Sequence, residues 1–377
     1  MQMRFTRLSK KFVWTVAFLA TIVMIIIILM VHVARKNMSG TIAIVDLLLT
    51  ALFSKSDSLV DVKRATLRRS VDINGHPCSS TNRAQKHTLK ALNIFTDLCD
   101  VMTGRHNGYH YDHPDIVHYV KFTDKDVEEI TFQEFVSILS MHKFYRPSKI
   151  KIHSNAKKFS GKYWNLTQSL GLYIEIGNAD RLRFIGQKQR PYFISHEVDA
   201  LKVDIIVKKG GIFTDFDVIM VNGTKFRSKQ KLAECVIGSD TDPCTRLCAG
   251  FVSCVANSSF ARDWREGYRK DYAPYLWVYN AGTVPSNLLR SCPSCYDVYV
   301  DRTISLMNGA QKWLEPNGID WKSRSVIHYM NRMFGVNSRD ITPKAVVTRF
   351  NNTALGDLFM YVLGDTYLSL SLSEYHE

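Results

Sequence analysis

The sequence predicts an α/β domain with a largely parallel sheet, standing behind one membrane-crossing helix and a stem. Three observations carry this: an uncharged run near the N-terminus, strand and helix signals that alternate from Asp115 onward, and a double glycine leading into a pair of aspartates between two apolar strands.

Phe12 to Val33 is 22 residues without a charge. As a helix it extends about 33 Å, enough to cross a bilayer. A cleaved signal peptide has a shorter apolar core and a small-residue cleavage site, and Val31-His32-Val33-Ala34-Arg35 makes a poor one. Arg4, Arg7, Lys10 and Lys11 precede the run, against Arg35 and Lys36 after it, so the positive-inside rule places residues 1–11 in the cytosol and the rest in the lumen. Those six side chains account for much of the formal +14. The remaining excess is dilute, no zinc-finger spacing or RNA-binding signature accompanies it, and nucleic acid is not an expected partner.

Residues 34–111 read as stem. Within them Thr41 to Phe53 is apolar, but too short to span and interrupted by Asp46. Five Asn-x-Ser/Thr sequons, at Asn37, Asn165, Asn222, Asn257 and Asn351, all fall on the lumenal side. Eight cysteines, an even number, favour structural disulfides in an oxidising lumen, with the pairing left open. Cys292-Pro-Ser-Cys295 has redox spacing without a thioredoxin-like context, and Cys244-x3-Cys248 lacks the histidine partners of a zinc site.

The α/β domain is expected over 112–340, with 341–377 as its C-terminal extension. Ile116 to Phe122 is a β-rich run entered through Pro114. Thr131 and Glu134 have capping-box spacing, and Phe132, Phe135, Val136 and Leu139 continue at helical intervals until Pro147. A strand follows at Lys149 to His153, completing a βαβ unit whose ligands belong at the C-terminal edge of the sheet. Leu172 to Ile176 is another strand, and a helix starting near Ser195 runs to Lys209. Gly210-Gly211 caps it, and the chain turns into Ile212-Phe213, Asp215-Phe216-Asp217 and Val218 to Val221.

Two carboxylates two residues apart repel each other and lose water when half-buried, and a divalent cation resolves both problems. Oxygen ligands of this kind suit manganese or magnesium, with phosphate oxygens of a substrate completing the shell.

The stretch from Ser195 through Asp199, Lys202, Gly210, Gly211 and Phe213 to Asp215 and Asp217 resembles the DXD-containing sugar-binding region of glycosyltransferase family thirty-two and of the α1,4-galactosyltransferases and α1,4-N-acetylglucosaminyltransferases. It departs from the family pattern at Lys202, where arginine is usual, and at Phe213, where tyrosine is usual, and each change removes hydrogen-bond donors. Pro114-Asp115-Ile-Val-His118-Tyr119-Val looks like the family's first nucleotide-binding strand. Ile327-His328-Tyr-Met looks like a late histidine segment, and Trp277-Val-Tyr-Asn280 resembles the lining of the donor and acceptor cleft.

The resemblance implies a Rossmann-like nucleotide-sugar-binding domain of the GT-A type. It implies a Golgi type II membrane glycoprotein transferring a hexose or N-acetylhexosamine from a UDP-sugar to a glycan acceptor on lipid or protein, with retention of configuration. Asp215, Asp217 and His328 would hold Mn2+ or Mg2+. His118, Tyr119, Asp199, Lys202, Gly210, Gly211, Phe213 and Asp215 would line the donor, with His118 packing against or supporting the base pocket. Asn280 would lie near the reacting carbon beside the catalytic Asp215 and Asp217. The aromatic run Trp264, Tyr268, Tyr272, Tyr275, Trp277 fits either acceptor stacking or a buried helix face. A non-catalytic glycan-binding or scaffold ectodomain on the same fold is the alternative, and a homodimer is left open.

Overall fold

In the computed structural model, residues 94–366 are described, except 104–107, 170, 172, 188 and 305–309. The chain divides into two units, Met1–Arg68 and Arg69–Glu377. The expected cytosolic tail, the anchor at 12–33, the apolar stretch at 41–53, Asn37 and Cys78 lie outside the described residues. No helix among the described residues is long and apolar enough to cross a membrane.

The described chain begins with helix α1 (Leu98–Thr103), followed by strands β1 (Ile116–Lys121) and β2 (Val127–Glu129), helix α2 (Phe132–Ser140), strands β3 (Lys149–Ser154) and β4 (Lys158–Ser160), helix α3 (Lys162–Ser169) and strand β5 (Ile174–Asn178). Next come helix α4 (Ile194–Lys209), strands β6 (Gly211–Thr214) and β7 (Val218–Met220), helix α5 (Gly223–Gln230), and strands β8 (Cys235–Ser239) and β9 (Leu247–Cys254). Helices α6 (Ser259–Lys270) and α7 (Val284–Ser291), strands β10 (Val298–Asp301) and β11 (Val326–His328), and helices α8 (Pro343–Val347) and α9 (Ala354–Leu363) complete it.

Seven strands form one sheet in the order β10-β8-β9-β6-β1-β3-β5. β1 pairs in parallel with β3 and β6, β3 with β5, and β8 with β10, while β9 runs antiparallel to both β6 and β8. The sheet is therefore mixed α/β with one reversed strand.

The sequence explains the elements locally. The Thr131 capping box is present in full: the Thr131 hydroxyl accepts from the Glu134 N–H and the Glu134 carboxylate accepts from the Thr131 N–H. Lys121, at the end of β1, pairs with the same Glu134 at 2.5 Å, tying strand to helix. α2 passes into a π turn at Met141–Tyr145 that stops at Arg146, whose φ of +57° immediately precedes Pro147.

Both faces of the sheet are covered, as its uninterrupted buried strands require. On one face Val117, Tyr119 and Ile212 pack with Phe135, Ile138 and the α9 residues Leu355 and Phe359. On the other, Phe213, Val252 and Ile237 pack with Val203 and Ile206 of α4 and Phe260 and Trp264 of α6. α9, in the segment after 341, is part of the first core.

α1 falls in the segment expected as stem, yet Leu98 and Met102 are buried and Cys99 is bonded to Cys244. Two further bridges, Cys235–Cys254 and Cys292–Cys295, fit the expectation of structural disulfides. Cys235–Cys254 joins directly opposed residues of β8 and β9.

Candidate metal centre

The double glycine sets where the two aspartates emerge. Gly210 ends α4 with φ +65°, its N–H donating to Ile206 O at 2.9 Å, and a Cβ there would stand 2.6 Å from the Ala256 nitrogen. Gly211 has φ +89°, and its Cβ would meet Ile116 O at 2.6 Å. Glycine is therefore needed twice, for the left-handed backbone and for wedging β6 between β1 and β9. Both glycines act on the site by setting how closely β6 packs between its neighbours.

β6 ends at Thr214 and the chain bends sharply. The Asp215 N–H donates to Gly250 O at 2.8 Å, prolonging the contact with β9, and the Val218 N–H returns to Asp215 O at 3.3 Å. Between the aspartates, the Phe216 ring stacks on Tyr119 with centroids 4.6 Å apart. The Tyr119 hydroxyl meets Ser137, and the Ser137 hydroxyl donates to Val218 O at 2.6 Å. Phe216 is thereby pinned to the first core, and its two neighbours are left to face the other way.

β7 then pairs with β11, setting His328 opposite Val218. His328 Nε2 stands 3.1 Å from Asp217 Oδ1, and the Tyr329 N–H donates to Asp217 O at 3.2 Å. Ligand atoms of Asp215, Asp217 and His328 all lie within 4.8 Å of one another. The three residues expected as metal ligands are therefore brought together.

Lys202, only 1% exposed, reaches this cluster from α4. Its ammonium donates to Asp199 Oδ1 at 3.2 Å and to Asp215 Oδ1, and it sits 5.2 Å above the Phe213 ring. Phe213 is itself buried, so it supports Lys202 from below instead of meeting a ligand. Burial disfavours the charged ammonium, but Asp215 and Asp199 outweigh it and raise the lysine above its ordinary value. Asp199 is pushed up to about 6, first by burial, with the Asp215 charge adding to the rise and Lys202 opposing it. Burial also acts to raise Asp217, yet the His328 imidazolium holds it below the usual carboxylate range. For His328, burial works against protonation, while Asp217 and then Cys248 raise it well above the ordinary histidine value.

Two carboxylates and an imidazole are a hard-to-borderline donor set that fits Mn2+ or Mg2+. The residues fit such an ion by type and by proximity. His328 and Lys202 supply the balancing positive charge in its absence, and His328 ligates only as the neutral ring, so binding releases its proton.

The other expected site residues stand elsewhere. His118 is 1% exposed and its Nδ1 faces His153 Nε2 at 3.1 Å, in the interior between β1 and β3. Tyr119 is wholly buried and touches the site only through Phe216. β1 is covered on both faces, so neither side chain presents a surface to a donor.

Asn280 braces a loop: its Oδ1 accepts from Ala273 N at 2.9 Å, its Nδ2 donates to Asp271 O at 3.2 Å, and its own carbonyl accepts from Trp264 Nε1 at 2.8 Å. With its amide so used, it does not join the aspartates. In the aromatic run Trp264, Tyr268 and Tyr272 are buried, whereas Tyr275 and Trp277 are exposed, Tyr275 lying edge-on to the exposed Tyr192 at 5.2 Å.

Two features had no sequence signal. Arg181 grips Glu197 through two hydrogen bonds of 2.7 Å and also reaches Asp124, tying the loop before α4 to the loop after β1. Cys248 contacts His328. Two surface hollows lie about Thr224 and Arg227, away from the aspartates.

No family model matches the sequence, and no curated protein matches it. Among solved structures, the PaToxG glycosyltransferase superposes with TM-score 0.35 at 13% identity, over 72% of this chain and 92% of that one. The apo-form glycosyltransferase GlyE of Streptococcus pneumoniae TIGR4 gives 0.39 at 12%, over 70% of this chain and 64% of its own. The galactosyltransferase LgtC, in complex with donor and acceptor sugar analogs, gives 0.35 at 10%, over 66% and 95%. Superpositions this loose do not establish a shared fold, and the site stands on its own residues.

Proposed function

We infer that this chain is a metal-dependent glycosyltransferase of the GT-A type, moving a hexose or N-acetylhexosamine from a UDP-sugar to a glycan on protein or lipid. The observation that carries this is the convergence of Asp215, Asp217 and His328 at the end of a sheet strand, with Lys202 and Asp199 alongside. Retention of anomeric configuration, and residence in the Golgi as a single-pass type II protein, come from the sequence resemblance and the apolar run at 12–33.

Asp215, Asp217 and His328 would hold the cation, which when bound neutralises the diphosphate and stabilises the charge it gains on leaving. Asp217 and His328 are preorganised for this by the β7–β11 pairing, and Asp215 by its backbone bond to Gly250. Lys202, 1% exposed, keeps its proton and directs its ammonium at Asp199 and Asp215, where the family resemblance leads one to expect an arginine fork. Asp199 beside it is an acceptor for a sugar hydroxyl. Lys202 thus acts on the sugar through the carboxylates it holds, and a point charge in place of a fork there bears on donor preference more than on reaction type.

A second reading has one observation in its favour. Both aspartates already have partners within the chain, Lys202 for Asp215 and His328 for Asp217, so each carboxylate of the pair is matched by a cationic side chain without a metal ion. On that reading the domain is a non-catalytic glycan-binding ectodomain.

Incubating the full-length chain with a panel of UDP-sugars, with and without Mn2+, and measuring UDP release separates the two. Release confined to the metal-containing samples is the expected result. Glycan binding with no UDP release from any donor would establish the second reading.

A further inference from the structure

Cys248 is the one cysteine among the described residues that enters no disulfide. It lies buried on β9, with Sγ 3.3 Å from Nδ1 of His328. The backbone N–H of Gly250 donates to the same sulfur at 3.4 Å. The far nitrogen of the ring, Nε2, stands 3.1 Å from Asp217 Oδ1. The imidazole is thus held at both ends, by a sulfur on the central sheet and by a carboxylate of the candidate metal centre.

The third side of the ring is set by Gly250. A Cβ at that position would fall 2.2 Å from Nδ1, so the ring rests directly against β9 backbone. Sulfur and bare backbone hold this side of the ring while Nε2 stands beside Asp217.

We propose that Cys248 is a positioning residue for the divalent cation, its sulfur accepting the Nδ1–H of His328 so that the Nε2 lone pair is presented beside Asp215 and Asp217. This rests on reading those three residues as a cation site. A neutral imidazole has one N–H and one lone pair, so whichever nitrogen donates decides which one can ligate. If the thiol donated to Nδ1, the ring proton would sit on Nε2, between His328 and Asp217, and that nitrogen could not bind a metal. The Gly250 N–H, aimed at the sulfur, favours its acceptor role. Ligating histidines are usually anchored through the second nitrogen by a carboxylate or a carbonyl, and here sulfur occupies that place.

The test is a Mn2+ titration of the full-length chain, read by the electron paramagnetic resonance of free Mn2+, with no sugar and no turnover. Cys248→Ala is expected to weaken binding about 10- to 100-fold. Cys248→Ser keeps an acceptor with a shorter bond to Cβ and is expected to lose less. His328→Ala weakens binding, and adding Cys248→Ala to it is expected to cause no further loss, because the cysteine acts only through the ring. Urea unfolding of each variant checks that the fold is kept.

Unchanged Mn2+ affinity in Cys248→Ala would overturn the proposal. So would a Cys248→Ala loss that persists in full beside His328→Ala, since that places the effect in the fold. A wild-type chain that binds no Mn2+ removes the cation reading and this proposal together. Wild-type binding with an indifferent Cys248 removes this proposal alone.

Discussion

His328 sits directly across from Val218 in the β7–β11 pair, and this register carries its imidazole to within 3.1 Å of the neighbouring Asp217. The side-chain period of a strand is two, so a slip of one residue would turn His328 away from the carboxylates. The same pairing gives Asp217 its backbone bond from Tyr329, which fixes the carboxylate as well as its partner.

Asp217→Asn removes the negative charge and keeps the shape. The variant is expected to fold, with a thermal midpoint near that of the wild type, and to lose at least ~10²-fold in UDP-sugar turnover, the scale of losing one electrostatic stabiliser. Steady-state UDP release measures it. Turnover near the wild-type value would separate the aspartate from the chemistry.

Lys202→Met leaves Asp199 and Asp215 facing each other without their shared cation. Removing one member of a buried ion pair costs about 3 kcal/mol at the lower end of the usual range, which suits a site where Asp215 is partly exposed. Urea unfolding is expected to show a loss of that order, and saturating Mn2+ to restore part of it by occupying Asp215. An unchanged urea midpoint would mean that the lysine does not balance the two carboxylates.

His118 and His153 make stability depend on acidity. Burial, then the facing His153, lowers His118 to about 3, and burial with nearby Lys151 lowers His153 to about 4. Both protonate near pH 6.5 when unfolded, so between there and their folded values the unfolded state binds more protons. Their contribution is complete above about pH 6.5 and declines as the pH falls toward about 4 for His153 and about 3 for His118. The urea midpoint is expected to drop from pH 7 to pH 4.5, and to drop less in His153→Gln. Equal slopes for the two proteins would show that other groups govern the acid limb.

Gly211→Ala places a Cβ against Ile116 O in a backbone that non-glycine residues avoid. The combined strain and crowding is expected to cost about 3 kcal/mol, visible as a lower thermal midpoint. A thermal midpoint equal to that of the wild type would mean that β1 can yield, and that the close approach does not hold the site.

Much of the frame was legible in the chain. The Thr131 capping box, the helix ended by Gly210, the β1–α2–β3 unit and the strand break at Asp215 all appear where the residues indicate, because caps, turns and apolar periods act over a few residues. The pairing of Asp215 with Asp217 belongs to the same class, since a spacing of two within a bend leaves both side chains facing away from the pinned Phe216.

Other features depended on elements that meet only after folding. Asn280 and Tyr119 were legible as polar groups in suggestive segments, but burial and neighbours give them structural roles. The choice of Cys99 for Cys244, the grip of Arg181 on Glu197, and the sulfur of Cys248 behind His328 depend on strand order and register. Those are set by hydrophobic faces closing over a whole sheet, and local sequence carries no record of which distant side chain will stand opposite. The sequence by itself determined the local elements and the paired carboxylates and, through the resemblance, pointed to His328 and Lys202, while the tertiary structure decided how these meet and which thiol stands behind the imidazole.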